Sequence, residues 1–480
     1  METALQPQSS RQKALQINLD PAPYGSFAEI GAGQEVAALF FKAGAASGTV
    51  AKTISAYDMT FSDSIYGPEE SGRYVCESRL LKMLNREYSL LEKRLKGVRP
   101  SNTLFFAFAD TMVALNFNKT NEGHGWMGVR FQLQPDAEPN DVIIHLRMLD
   151  NDTILQQQAV GIIGVNLIYA CLYLNHSPDL IIQSLLDNAG SERIEIDMMR
   201  FTGPDFKNID NRLISLKLVR NGLCNAALFG PTGNVLQPSE VFYKKNILIL
   251  RGRFRPITYV ATDMHKTGYE QFIKDKDVDP YNVVAVSELT LVNLKADGEI
   301  NEKDFLDRAE LLCSLGQTVL ISNYHEYYKV VAYLSRFTKE KIGVTLGIIN
   351  LSEIFNEDYY KGLKGGILES FSTLFSRNVK MYVYPAKDQQ TGIVTTCRNF
   401  ILPEHLTYLY MYLLSNDKLE DIKEAHLEYL NIVSDNVLYL IKSGQPGWES
   451  MVPPLVANAI IEKKLFDYSY NTYSSNTTTY

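Results

Sequence analysis

The sequence predicts an α/β protein in two parts. The first is an N-terminal α+β domain with a mixed sheet; the second is a doubly wound, mostly parallel Rossmann-like sheet with a helical end. Three observations carry that expectation. At 480 residues the chain is long for a single core. Strand-like and helical segments alternate regularly between about 283 and 402, the pattern of parallel βαβ units. The strands of that stretch are also continuous apolar runs, suited to burial on both faces.

Taken in order, residues 1–17 read as a disordered polar tail without the apolar core of a secretory signal. The first domain, 18–270, opens with small-residue helical material, "GQEVAALFFKAGAASGTVAKTISAYDM". A second helix follows at "ESRLLKMLNREYSLLEKRLKG", where Leu80, Leu81, Leu84, Leu90, Leu91 and Leu95 approximate a helical stripe. "TLFFAFADTMVAL", "WMGVRFQLQ" and "DVIIHLRML" read as strands, and the turn-rich "PDAEPN" makes the last two an antiparallel hairpin. The apolar run 159–174 is too short to span a membrane and is broken by Asn166, so it reads as a buried helix. "RIEIDMM", "RLISLKLV", "NAALFG" and "NILILRGRF" read as four further strands.

The charged segment 269–282, closed by Pro280, reads as the seam. In the second domain, 283–402, "NVVAVSELTLV", "QTVLISN", "IGVTLGIIN" and "VKMYVYPA" read as strands. Helices lie between them, the first ("NEKDFLDRAELLCSLG") ending at Gly316. Residues 403–466 read as helical, and 467–480 as a disordered polar tail.

Composition excludes several classes. A formal net charge of −8 gives no general pull toward nucleic acid or acidic membranes. The five cysteines are scattered with no CxxC pair, which points to a reducing, cytoplasmic compartment and away from a cysteine-rich zinc site. No HExxH occurs, and the seven histidines show no metal-ligand spacing. No cofactor is named by any motif.

The strongest chemical feature is "RGRFRP". On a strand, Arg251, Arg253 and Arg255 project from one face, with Lys244 and Lys245 just upstream. Guanidinium forks match carboxylate or phosphate oxygens, so the cluster reads as an anion clamp. The competing reading is a solvated strand edge or an internal salt-bridge ladder to Glu195 and Asp197. In the proposed hairpin, Arg130, Gln132 and Gln134 share one strand face, and His145 and Arg147 share one face of the partner. His124, before Gly125 and Trp126, is the candidate acid–base. The glycine-rich "DPAPYGSFAEIGAGQEV" lacks both the Walker order and GxGxxG, and reads as a tight entry into a helix. Gln34 and Glu35 there, with Lys52 downstream, are candidate site residues. His325, Glu326 and Tyr327 stand at a strand's carboxyl end, where doubly wound sheets place ligands.

From about Asn18 to Phe466 the sequence resembles a bacterial family often labelled nicotinate-nucleotide adenylyltransferase and sometimes TonB-dependent receptor. The resemblance rests on "LDPAPYGSFAEIGAGQEVA", "GTVAKTISAYDM", "HGWMGVRFQ", "QPSEVFYKK", "RGRFRPIT" and "GGILESF". The first label implies a GxFxPxHxGH loop, whose histidines stabilise the transferring phosphate, and a later ISxTxxR segment. "YGSFAEIGAGQ" matches only the initial GSF of that loop, and "LISNYHEYYK" echoes the second motif still less. The function expected is binding of an anionic small molecule, such as a nucleotide or phosphorylated metabolite, with transferase activity as its enzymatic form. The rival class is a non-enzymatic scaffold or regulatory homo-oligomer joined through its helical C-terminus, for which the Tyr and Phe content suits an interface.

Overall fold

The computed structural model describes residues 6–70, 72–295, 298–376 and 378–469. The chain divides into two units, Met1–Asn225 and Ala226–Tyr480. The division therefore falls well before the charged segment 269–282.

The first unit is built on a six-stranded mixed sheet. Its strands are β1 (Pro23–Gly31), β2 (Val50–Ser55), β3 (Leu104–Val113), β4 (Gly123–Phe131), β5 (Asn140–Met148) and β6 (Ile194–Thr202). They lie in the order β2-β1-β3-β4-β5-β6, parallel across the first three and antiparallel from β3 onward. The expected hairpin is β4–β5. The apolar run belongs to the helix Thr153–Tyr173, long and apolar enough to cross a membrane by composition, yet mostly buried inside this unit. Its Asn166 accepts a hydrogen bond from buried Lys13, which also reaches Ser184 and Asp187.

Four expectations need correction here. "DPAPYGSFAEIGAGQEV" is not simply an entry into a helix, since most of it is the strand β1, and the small-residue stretch read as helical contains the strand β2. Residues of the supposed N-terminal tail form a helix, Ser10–Leu19, capped by a reciprocal Ser9–Gln12 box and anchored by Lys13. Residues 1–5 and 470–480, also read as tails, lie outside the described residues. "RLISLKLV" is not a strand but part of the helix Asn211–Arg220. Asp210 caps it, and six consecutive residues from Ile214 to Val219 are buried, so the run of apolar residues reflects enclosure rather than alternation.

The second unit carries β7 (Ala226–Phe229), β8 (Val235–Leu236), β9 (Asn246–Arg251), β10 (Val283–Thr290), β11 (Thr318–Ser322), β12 (Ile342–Gly347), β13 (Val379–Tyr384), a small hairpin β14–β15 (Ala386–Lys387, Val394–Thr395) and β16 (Leu419–Asp421). The main sheet has the order β16-β13-β12-β9-β10-β11-β7-β8, with six parallel strands and an antiparallel edge of β7 and β8. This is the expected doubly wound, Rossmann-like α/β arrangement. β7 and β9 hydrogen-bond into this sheet, which is why the segment 269–282 is no domain seam. It ends the crossover between β9 and β10. The helical end is interrupted by β16, which extends the sheet beside β13.

Candidate functional site

In the second unit the winding reverses at β9, with β10 on one side and β12 on the other. Ligands of doubly wound sheets sit outside the carboxyl ends of the strands at such a point. A cleft of about 670 Å³ opens there, lined by residues that follow β9, β10, β11 and β12 and by Val433–Asp435.

The "RGRFRP" segment forms its floor. β9 ends at Arg251, and Phe254 adopts a left-handed backbone, φ 48°, so the segment turns sharply instead of continuing as a strand. The three arginines consequently do not share one strand face, but all three line the cleft. Each also has an acidic partner within the second unit. Arg251 is bidentate to Glu288, with Nε to Oε2 at 2.8 Å and Nη2 to Oε1 at 3.0 Å. It donates to the His325 carbonyl at 2.6 Å and lies 4.3 Å from the Tyr327 ring centroid. Burial disfavours this cation, and Glu288 outweighs that cost, holding the guanidinium pKa above its ordinary value. Ser322 donates to the same carboxylate at 2.6 Å, so Glu288 is fully engaged. Arg255 Nε is 2.5 Å from Asp304, which Arg308 also contacts. Arg253 alone keeps a largely exposed pair, its Nη1 lying 3.2 and 3.3 Å from the two oxygens of Asp435.

The helix Tyr259–Phe272 starts directly behind this turn. Thr258 at its N-cap supplies no side-chain cap, and Ala261 and Met264 of its first turns line the cleft. The first N–H groups of a helix have no intrahelical partner and carry the positive end of its dipole. Among the same lining residues Tyr359 and His325 hold their rings 5.0 Å apart at 42°. The cleft thus offers groups for an anion and aromatic faces for a planar ring.

The GxFxPxHxGH pattern, of which Gly25–Phe27 carries only the start, has a fuller match here. Gly252, Phe254 and Pro256 occupy its first three fixed positions. Thr258 and Ala261 stand where the histidines belong, and Val260 where the second glycine belongs. The spacing G-x-F-x-P was the signal that marked this turn. What no local pattern gave were the partners Glu288, Asp304 and Asp435.

The other sequence candidates fall elsewhere. Lys244 and Lys245 stand at the amino end of β9, about 20 Å from the turn at the rise of a six-residue strand, and do not reinforce the arginines. The remaining candidates lie in the first unit and are satisfied within it. Arg130 is bidentate to Asp141 at 2.8 and 2.7 Å and donates to Asn85. Gln132 is buried between the Phe105 amide and the Ala137 carbonyl. Arg147 pairs with Glu195 and Glu122, and Lys52 with Glu87. Gln34 donates to the Gly31 carbonyl and Glu35 pairs with Lys42. Glu195 and Asp197 therefore serve the first-unit sheet and form no ladder with Arg251, Arg253 and Arg255.

His124 begins a chain of its own. Its Nδ1 is 3.3 Å from His145 Nε2, and His145 Nδ1 is 2.6 Å from Asp197. The β5–β6 register shifts at this point, leaving Asp197 as the extra residue of a bulge that turns it toward His145. Burial and then His145 depress the His124 pKa to about 4, so the imidazole is neutral near pH 7. At the end of β1, Glu29 faces Asp110 of β3 in register, and Gly33 packs so tightly on the Asp110 carboxyl that a Cβ would lie 2.0 Å from it. No group of His, Cys, Asp and Glu able to hold a metal occurs among the described residues.

No protein-family model and no curated protein matches the sequence. Solved structures similar to parts of the chain include the competence/damage inducible protein CihA from Agrobacterium tumefaciens, at 17% identity over 35% of this chain and 98% of that one, TM-score 0.25. A CinA superfamily protein from Klebsiella pneumoniae matches at 13% identity over 35% of this chain and 100% of its own, TM-score 0.27. Plasmodium falciparum nicotinic acid mononucleotide adenylyltransferase complexed with APC matches at 15% identity over 47% and 98%, TM-score 0.30. Likeness at this level carries no functional conclusion.

Proposed function

We propose that the second unit binds a nucleotide or similar phosphorylated small molecule in the cleft at the carboxyl ends of β9 and β12. One observation carries the reading: an arginine-bearing turn and an uncapped helix start flank the point where the sheet's winding reverses. The phosphate lies against Arg253 and the first turn of Tyr259–Phe272, and the ring against Tyr359 and His325. The cleft volume suits a ligand of nucleotide size. With Thr258 and Ala261 in the histidine positions, the turn lacks the groups that assist adenylyl transfer, so binding is proposed ahead of transferase chemistry. The lack of a disulfide among the described cysteines accords with a cytoplasmic setting.

Thermal-shift screening against nucleotides, pyridine-nucleotide precursors and sugar phosphates tests the reading. Stabilisation by a phosphorylated ligand that Arg253→Ala abolishes is the expected result. No response from any of them, or an unchanged response in the variant, refutes it.

The scaffold reading has one observation of its own. Tyr408, Met411 and Tyr412, spaced i, i+3 and i+4 on the helix Glu404–Ser415, are 86%, 55% and 63% exposed, an apolar stripe suited to a second copy. A mass in light scattering that rises with concentration, and falls in Tyr408→Glu, is its signature.

A further inference from the structure

We infer that Asp435 is a built-in competitor at the cleft: an anionic ligand must displace its carboxylate from Arg253, which raises the affinity every anion needs and leaves a multiply charged phosphate as the kind able to enter. The inference rests on the binding proposed above and concerns what that site excludes.

Of the three cationic side chains in the cleft, two are committed. Arg251 and Arg255 are about nine-tenths buried and neutralised by Glu288 and Asp304. Arg253 is the one a ligand can engage, and Asp435 already occupies it, with 42% and 65% of the two side chains exposed. An ion pair so exposed does not hold its own geometry strongly. The position of Asp435 is set instead by the segment that delivers it. Asp435 lies in the first turn of the helix Ser434–Ser443, and the chain between β16 and that helix is pinned at its middle. There the His426 backbone amide donates to Asp263 Oδ2 at 3.0 Å, and His426 Nδ1 lies 2.6 Å from Oδ1. Tyr384 donates to the same buried carboxylate at 2.5 Å. Tyr429 stacks on Tyr259, with centroids 5.0 Å apart and planes within 13°. Asp435 thus faces Arg253 as a tethered competitor.

A tethered carboxylate acts at an effective concentration of about millimolar or more. A free monoanion, such as acetate or a phosphodiester, exchanges one single charge for another and gains nothing over it. A phosphate of two or more charges brings extra Coulomb attraction and several acceptor oxygens for the guanidinium fork. It also meets the free N–H groups at the start of Tyr259–Phe272. Glu353 supplies an internal control: it lines the same cleft, but its charge acts on Arg251.

The test is calorimetric titration of the full chain with pyrophosphate, acetate and dimethyl phosphate. The wild type should bind pyrophosphate and neither monoanion. Asp435→Asn should tighten pyrophosphate by roughly two- to fivefold, the worth of an exposed ion pair, and leave its preference over the monoanions unchanged. Glu353→Gln, which removes the same charge, should shift pyrophosphate by less than twofold and leave the monoanions excluded. If the two variants behave alike, or the wild type takes acetate as readily as pyrophosphate, displacement is overturned while binding stands. If neither the wild type nor Asp435→Asn binds pyrophosphate, the binding proposal itself falls, and this inference with it.

Discussion

The second-unit cleft and the end of β1 in the first unit bury charged groups in opposite ways. Around the second-unit cleft, buried charges come as matched pairs: Arg251 with Glu288, and Arg255 and Arg308 with Asp304. At the end of β1 in the first unit, two carboxyls face each other in register, with no cation against either. Glu29 is 3% exposed and Asp110 is fully buried. Glu29 accepts from the Ala37 amide, and burial lifts its pKa to about 7. Burial, then the neighbouring Glu29, raises Asp110 well above the carboxylate range; the Ile30 amide favours its charged form only slightly, without proper hydrogen-bond geometry. The cleft neutralises its buried groups with counter-charges, and the end of β1 does so with protons. Paired charges leave a fixed electrostatic frame that an anion can read, whereas protonated acids make stability follow pH.

The largest expected effect breaks a pair. Glu288→Gln strands Arg251 in the interior and should cost about 3–5 kcal/mol of second-unit stability. Urea denaturation followed at two wavelengths checks it, since two units need not unfold together. Replacing both partners by methionine should recover most of the loss. If Glu288→Gln is as stable as the wild type, the pair is not the frame described here.

The next effect belongs to the carboxyls. A group whose folded pKa lies above its unfolded value favours folding less as pH rises. The first unit should therefore be most stable below about pH 4.5 with respect to this pair, and lose stability up to and past pH 7. Glu29 alone contributes ~3 kcal/mol of that loss, from a pKa near 7 against an ordinary 4.5. Asp110→Asn removes the repulsion and should flatten the slope. Thermal unfolding across pH 4–9 decides it, and a slope identical in the variant would show that the two carboxyls do not communicate.

These contrasts were only partly legible in the sequence. The alternation of strands and helices from 283 to 402 depends on local periodicity, and it is the arrangement found. The β4–β5 hairpin was equally readable, because "PDAEPN" states its own turn. "RGRFRP" was misread as a strand for a local reason, since period-two arginines look alike whether or not Phe254 turns left-handed. The partners could not be read at all. Glu288 lies 37 residues from Arg251 and Asp435 lies 182 from Arg253, separations that only the tertiary fold brings to contact. The carboxyl pair escaped for the same reason: a parallel register joins Glu29 to Asp110 across three intervening α-helices and a strand.

A smaller effect tests a buried cation of the first unit that does follow the second unit's rule. Lys13, 1% exposed, is held by Asn166, Ser184 and Asp187. Burial lowers its pKa, and Asp187 opposes that shift. Lys13→Met keeps most of the volume but leaves three polar groups without their donor, at a cost of ~1–3 kcal/mol. Denaturant unfolding measures it, and a neutral result would mean that water satisfies those groups.

The smallest stability effect is the most informative for function. Arg253→Ala should change folding stability by less than about 0.5 kcal/mol, because its ion pair is exposed. The same substitution should abolish the stabilisation conferred by phosphorylated ligands. A cation held for packing costs stability when removed, as Arg251 should. A cation held for a ligand costs binding and little else. If Arg253→Ala instead destabilises the second unit as much as Glu288→Gln does, Arg253 belongs to the frame, and the cleft has no cation left to offer an anion.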